Sequence, residues 1–250
     1  MARLRNVYEA KLMREGGKIA ALALKKALEA SMEGVSGIEI DKIAAETIYK
    51  KGGDLSYKTV PGYKYATCIT VNEQVVHGIP TESKLHKGDV VSIDLAVEYK
   101  GWHTDTAWTV LVGKNADKEK FLNTGEEALQ LAIKQAVEGK RIGDISCAIQ
   151  NKVEGEGYSV VRSLVGHGVG RSLHEDPEVP GYGKANTGMV LKSGMTLAIE
   201  VIYTQGLPDV ALDKDGWTFV SADGSLAGLF EMTVLVGKEK AEVLTDWKVV

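Results

Sequence analysis

Apolar residues recur at helical spacing over residues 7–31, where Leu12, Ile19, Ala20, Leu22, Leu24 and Leu28 stand among good helix formers. That pattern predicts one helix there and a second from about Ile38 to Lys51, stopped by Gly52-Gly53. Strand-like runs follow at Ala66 to Val71, Val90 to Tyr99 and Trp102 to Val112. The order then repeats. A helix from about Lys118 to Glu138 and a shorter one near Asp144 to Glu154 precede strands at Tyr158 to Leu164, Thr196 to Tyr203, Trp217 to Ser221 and Leu229 to Val236. Two successive helix–helix–strands units predict an α+β fold with pseudo-twofold halves. No Pro- or Ser-rich linker divides them, so residues 1–250 read as a single domain.

Composition narrows the function classes. A formal net charge of −4 carries no electrostatic signature of a nucleic-acid partner. The basic residues Arg3, Arg5, Lys11 and Arg14 are interleaved with acids and apolar positions, and read as a solvated helix face. Cys68 and Cys147 lie far apart and form no CxxC pair, which suits a reducing compartment and argues against a disulfide framework or a thiolate zinc site. No signal-like apolar region follows the first residues, and the run Ile19 to Leu24 is far short of the roughly 20 residues a membrane span needs. The expectation is a cytoplasmic protein.

Chemistry enters with acids placed inside apolar strands. Asp94 interrupts Val90-Val91-Ser92-Ile93-Asp94-Leu95-Ala96-Val97, and Asp105 follows in Thr104-Asp105-Thr106-Ala107-Trp108. A lone ionised carboxylate in such a strand is costly unless it is paired or bound to a cation. If Lys100-Gly101 forms a two-residue turn, Tyr99 faces Trp102, Asp94 faces Ala107, and Asp105 becomes a diagonal neighbour of Asp94 on one face. A one-residue bulge would undo that geometry. Either aspartate alone is more readily a cap or turn residue; the two together on one face point to a binuclear centre. Glu200 in Met195 to Ile202 and Glu231 in Leu229 to Val236 are each the single charge in a strand-like run. Gathered carboxylates repel one another, and divalent metal is the simplest neutraliser.

Three histidines accompany them. His167 stands in Gly166-His167-Gly168-Val169-Gly170-Arg171, whose glycines allow close approach of a ligand but lack the spacing of a nucleotide fingerprint. His174 precedes Glu175-Asp176-Pro177, and His77 sits in Asn72-Glu73-Gln74-Val75-Val76-His77-Gly78-Ile79-Pro80. Taken singly, each could be structural. His86 and His103 read as exposed turn residues without a role.

The ordered set of Asn72-Glu73 with His77-Gly78-Ile79-Pro80, Asp94 with Asp105, Gly166 to Arg171, His174-Glu175, and the two late glutamates resembles the methionine aminopeptidase family. More widely, it resembles the "pita-bread" metallohydrolases, and the likeness spans essentially the whole chain. It implies a curved antiparallel sheet inside outer helices, and removal of N-terminal methionine from proteins and peptides. Carried over residue by residue, Asp105 and Glu231 would bridge two divalent cations, with Asp94 completing one site and His167 with Glu200 the other. The nucleophile would be a water activated by that pair, and Glu200 the proton shuttle. His174 would hydrogen-bond the scissile carbonyl, and His77 would contact the scissile nitrogen or its leaving group. The substrate's α-amino group would bind on the Asp94 side. By position, Tyr63, Cys68 and Trp217 match the family's methionine pocket.

The oxygen-rich donor set suits Mn(II), Fe(II) or Co(II), with Zn(II) also open. Implied partners are N-terminal Met peptides and nascent chains, with ribosome association an open alternative, no membrane partner, and a monomeric state. The sequence also departs from the family pattern. Val201-Ile202 replaces Pro-Met, Leu173 replaces Phe, Leu229 and Met232 replace Gln and His, and Val76 replaces Cys. These changes spare the ligands and bear on pocket shape and metal preference. Competing expectations are an X-Pro-cleaving relative, which usually carries a separate N-terminal domain, and a non-catalytic peptide-binding module, which typically loses ligands.

Overall fold

The computed structural model describes residues 3–250. Helices α1 (Val7–Ala30) and α2 (Gly37–Lys50) both open on reciprocal caps. The Asn6 side chain accepts the Glu9 N–H while Glu9 accepts the Asn6 N–H, and Ser36 and Glu39 do the same for α2. Strands β1 (Asp54–Leu55), β2 (Thr67–Val71), β3 (Gln74–Val76), β4 (Val90–Tyr99) and β5 (Trp102–Leu111) complete the first half. The second half runs α3 (Ala116–Ile133), α4 (Ile142–Gly155), β6 (Ser159–Val160), β7 (Val165–Gly168), β8 (Glu175–Pro180), β9 (Thr196–Thr204), β10 (Val210–Leu212), β11 (Phe219–Ser221), β12 (Ala227–Leu235) and β13 (Glu242–Val243).

A ten-stranded sheet follows the path β1-β4-β5-β12-β9-β7-β8, with β2 on β4, β6 on β9 and β13 on β12. The pairings are antiparallel. Strands β10, β11 and β3 form a separate small sheet. Helix α1 packs on β4 and β5, and α3 packs on β9 and β12, so each helix covers its own half. The expected α+β architecture with pseudo-twofold halves is present.

Each central strand buries both faces, for different reasons. On β4, Val91, Ile93, Leu95 and Val97 join the core beneath the helices, and so do Leu197, Ile199 and Val201 of β9 and Phe230, Met232 and Val234 of β12. The alternate residues Asp94, Glu200 and Glu231 therefore point to the opposite face. This two-sided burial is why the acids sit in nearly continuous apolar runs.

Threonine hydroxyls hold the seam between halves. Thr109 Oγ1 of β5 donates to the Leu229 carbonyl at 2.7 Å and accepts the Leu229 N–H at 2.9 Å. Thr233 Oγ1 of β12 returns the arrangement, donating to the Asp105 carbonyl at 2.8 Å and accepting its N–H at 2.9 Å. Each buried backbone group is satisfied through a side chain, which keeps β5 and β12 apart on either side of the Ala107–Glu231 pair.

The structure corrects several sequence expectations. Helix α3 ends at Ile133 instead of continuing to Glu138, and the Tyr158 to Leu164 run yields only β6 before Arg162 and Ser163 turn outward. The β7–β8 hairpin arises from a glycine-rich stretch that carried no strand pattern. Arg5 precedes α1 instead of lying on its solvated face, and its side chain is only 1% exposed. His103 is buried, bonded through Nδ1 to the Ser56 hydroxyl at 2.6 Å, whereas His86 is exposed as expected.

Candidate metal centre

The strand register lines the acids up. Cys68 pairs with Asp94, Asp94 with Ala107, Ala107 with Glu231, and Glu231 with Glu200. Directly paired residues share a face, so this row projects into one space. Lys100 and Gly101 adopt φ of 53° and 78°, as the tight hairpin turn requires, and the pairing runs unbroken from Tyr99–Trp102 to Val90–Leu111. Asp105 therefore lies diagonal to both Asp94 and Glu231. His167 pairs with Ala198, two residues from Glu200, and joins the group diagonally from β7. Asp94 faces Ala107, Asp105 faces Ala96 and His167 faces Ala198, so each of these groups stands opposite the smallest side chain a strand can carry and keep a Cβ.

Asp94, Asp105, His167, Glu200, Glu231, His77, His174, Tyr63, Cys68 and Trp217 all line one cavity of about 520 Å³. Ligand atoms of Asp105, His167 and Glu231 fall within 4.8 Å of one another. His167 Nε2 is 3.8 Å from Asp105 Oδ2, while Nδ1 lies 2.9 Å from the Gly168 carbonyl. A proton on Nδ1, donated to that carbonyl, leaves the Nε2 lone pair facing the carboxylates. Glu231 Oε1 is buried with no hydrogen-bond partner.

Electrostatics says what belongs there. Burial raises Asp94 to about 6 and Glu200 to about 8, against ordinary values near 4. Burial, reinforced by the neighbouring carboxylates, pushes Asp105 and Glu231 well above the usual range. Burial drops His167 to about 4, so its imidazole is neutral at physiological pH. Carboxylates that resist ionising, an orphaned oxygen and a neutral imidazole fit divalent cations, which supply the missing charge.

Two further positions hold the ligands. Tyr57 donates its hydroxyl to Asp94 Oδ1 at 2.6 Å, and the Thr106 N–H donates to Asp105 Oδ1 at 3.0 Å. Sequence inspection missed Tyr57 because it sits on a short 3₁₀ turn, Ser56–Thr59, with no periodicity to expose its partner. Beyond Asp94 the wall is aromatic. Tyr63 packs edge-on against Trp217 at 5.2 Å and Tyr57 at 5.8 Å, and Leu173 and Cys68 complete the cluster. Burial, then the charge of Asp94, pushes the Cys68 thiol well up, so it stays protonated. His77, held at a left-handed φ of 58°, lies edge-on to Phe219, and the His174 ring stands 4.4 Å from that of His167. Burial lowers both His77 and His174, favouring their neutral forms.

The model of metallopeptidase family M24 matches residues 11–238. The chain belongs to metallopeptidase family M24. Its curated M24 relatives include methionine aminopeptidase 1 of Bacillus subtilis strain 168, 43% identical over 94% of this chain and 95% of that one. The methionine aminopeptidase of Clostridium perfringens is likewise 43% identical, over 97% and 98%. The crystal structure of methionine aminopeptidase from Thermotoga maritima has a TM-score of 0.96 and 41% identity, covering 98% of this chain and 99% of that one. The M24 chain thus has the pita-bread fold, and a metallopeptidase family accounts for a carboxylate cluster that calls for divalent metal. Among the described residues, no helix is long and apolar enough to cross a membrane.

The departures from the family pattern fall on two faces. Val76, Ile202 and Leu229 pack in one apolar cluster beside Ala107, and Leu173 joins the aromatic wall. Val201 and Met232 instead face the helix-covered core. They were expected near the pocket or its supporting groups; strand alternation puts them on the other side of the sheet.

Proposed function

We propose that this M24 member is a methionine aminopeptidase in which two divalent cations are held by Asp94, Asp105, His167, Glu200 and Glu231. The observation that carries the proposal is the single row Asp94–Ala107–Glu231–Glu200, flanked by Asp105 and His167 and ending at an apolar wall. Glu231 within the row and Asp105 diagonal to it would be shared by the two cations. Asp94 would serve one cation, and His167 with Glu200 the other. When bound, the cations supply Lewis acidity and a water acidic enough to attack near neutral pH.

The chain's own residues do the rest. Tyr63, Cys68, Trp217 and Leu173 take the methionine side chain into an apolar, sulfur- and aromatic-lined wall. The substrate's α-amino group lies on the Asp94 side, next to that wall, which is where a chain would have to continue if the cut were internal. Glu200 accepts the water's proton on a carboxylate oxygen and passes it to the leaving nitrogen. Neutral His174 donates its N–H to the scissile carbonyl oxygen as negative charge develops there. His77 contacts the scissile nitrogen or the leaving chain. The donor set suits Mn(II), Fe(II), Co(II) or Zn(II). Substrates would include nascent chains in the cytoplasm, with residues 1–250 acting as one monomeric catalytic unit.

The test compares metal-loaded protein on Met-Ala-Ser and on Ala-Pro peptides. Methionine release is expected to dominate, and His167→Ala to abolish it in a folded protein. Faster cleavage of the proline peptide would overturn the methionine assignment. Turnover that survives both His167→Ala and exhaustive chelation would overturn the two-metal mechanism.

A further inference from the structure

Arg5 comes from the short segment ahead of α1, yet it ends inside the loop that presents His174. Its Nε donates to Thr196 Oγ1 at 2.9 Å, its Nη2 donates to the Val169 carbonyl at 3.0 Å, and it forms an ion pair with Glu175. The loop closes tightly around the guanidinium. A Cβ built on Gly170 would stand 2.2 Å from Arg5 Nη2, so any larger residue there would have to displace the guanidinium. Glu175 in turn clasps the loop with Oε1, which accepts the N–H groups of Arg171 at 2.6 Å and Ser172 at 3.1 Å. The ring of Trp102 completes the nest, its centroid 5.2 Å from Arg5 Cζ and 4.3 Å from Arg171 Cζ.

A buried ion pair adds little net stability over a well-packed apolar pair, because desolvation offsets the attraction. What it does supply is one defined loop geometry. His174 immediately precedes Glu175 in the chain, and the backbone clasped at 170–175 decides where its ring stands beside His167. We infer that Arg5 is a positioning residue for the reaction. It fixes Glu175, Glu175 fixes the turn at Arg171-Ser172, and the turn aims His174 at the scissile carbonyl. This rests on the role given to His174 above.

The experiment is a double-mutant cycle between Arg5 and His174 in the metal-loaded full chain, with kcat and KM measured on Met-Ala-Ser. Misplacing a group that stabilises the transition state acts on kcat, so Arg5→Ala should lower kcat by roughly tenfold to a hundredfold with KM little changed. In the His174→Ala background the same substitution should cost almost nothing, since the group it aims is gone. Arg5→Lys, which keeps the charge but not the fork, should recover only part of the loss. Should Arg5→Ala fail to fold, Glu175→Gln removes the ionic partner at constant volume and enters the same cycle. Undiminished kcat in Arg5→Ala, or an equal loss in both backgrounds, overturns the inference and leaves the proposed function standing. Full activity of His174→Ala would instead remove the role of His174, and the inference with it.

Discussion

Replacing Tyr57 by Phe deletes one oxygen and leaves the ring in place, edge-on to Tyr63. That hydroxyl donates to Asp94 Oδ1 at 2.6 Å in a buried setting. Burial, followed by the charges of Asp105 and Asp94, raises the Tyr57 phenol well above its ordinary value, so it remains a donor throughout the working pH range. A hydrogen bond to a charged acceptor is worth about 1.5–3 kcal/mol, which corresponds to roughly a 10- to 150-fold change in an equilibrium constant. Loss of a group that supports a metal ligand typically costs 10- to 100-fold in metal affinity, so two independent routes give about the same size. The Asp94-side cation should therefore bind roughly 10- to 100-fold more weakly in Tyr57→Phe, while the His167–Glu200 side keeps its affinity. Titration calorimetry of the metal-stripped protein with Mn(II) resolves the two steps. Unchanged affinity at both sites, or equal weakening of both, would refute the claim that Tyr57 acts through Asp94.

Three further outcomes follow from the same geometry. In metal-free protein, Asp94 and Glu200 have folded values raised to about 6 and about 8, so their contribution is complete below about pH 4 and is lost as pH climbs through those values. At about 1.4 kcal/mol per unit, the Glu200 shift alone is of order 5 kcal/mol. The melting temperature of the metal-free form should fall between about pH 5 and pH 9 while that of the loaded form falls less, and a metal-free Tm that is flat or rising by calorimetry would contradict this. Thr233→Val strands the buried Asp105 N–H and carbonyl at the seam and should cost about 2–5 kcal/mol in denaturant unfolding, with Thr233→Ser recovering most of it. A Thr233→Val protein as stable as the parent would show that the hydroxyl is not holding β5 and β12. Ala107→Val adds methyl groups between Asp94 and Glu231 on a strand that favours β-branched residues, so the fold should persist while cation binding is lost. Retention of two cations by that variant, measured by elemental analysis after dialysis, would mean that the floor at Ala107 is not where they sit.

What could be read from the chain divides by sequence distance. The β4–β5 hairpin was legible to the residue, because its two-residue turn fixes the register and a period of two then places Asp94 and Asp105 on one face. The acids of β9 and β12 were legible as misfits in apolar runs, but their pairing with β5 was not. That register depends on which faces bury and on the hydroxyls of Thr109 and Thr233, whose partners lie more than a hundred residues away. The same limit explains the misplaced departures. Val201 and Ile202 are neighbours in sequence and lie on opposite sides of the sheet, one under the helices and one beside the cavity. Ile202 pairs directly with Leu229, and both pack with Val76, so three departures that look independent along the chain form one contact set. They are best understood as a joint repacking, in which altering one alone would leave the other two mismatched. Arg5 shows the limit at its sharpest. In a mixed-charge stretch, a buried arginine and a solvated one look alike, and only Glu175, 170 positions on, tells them apart. A cation that is invisible as structure in the sequence can still hold the loop of the proposed reaction, because burial is decided by the partner and not by the residue.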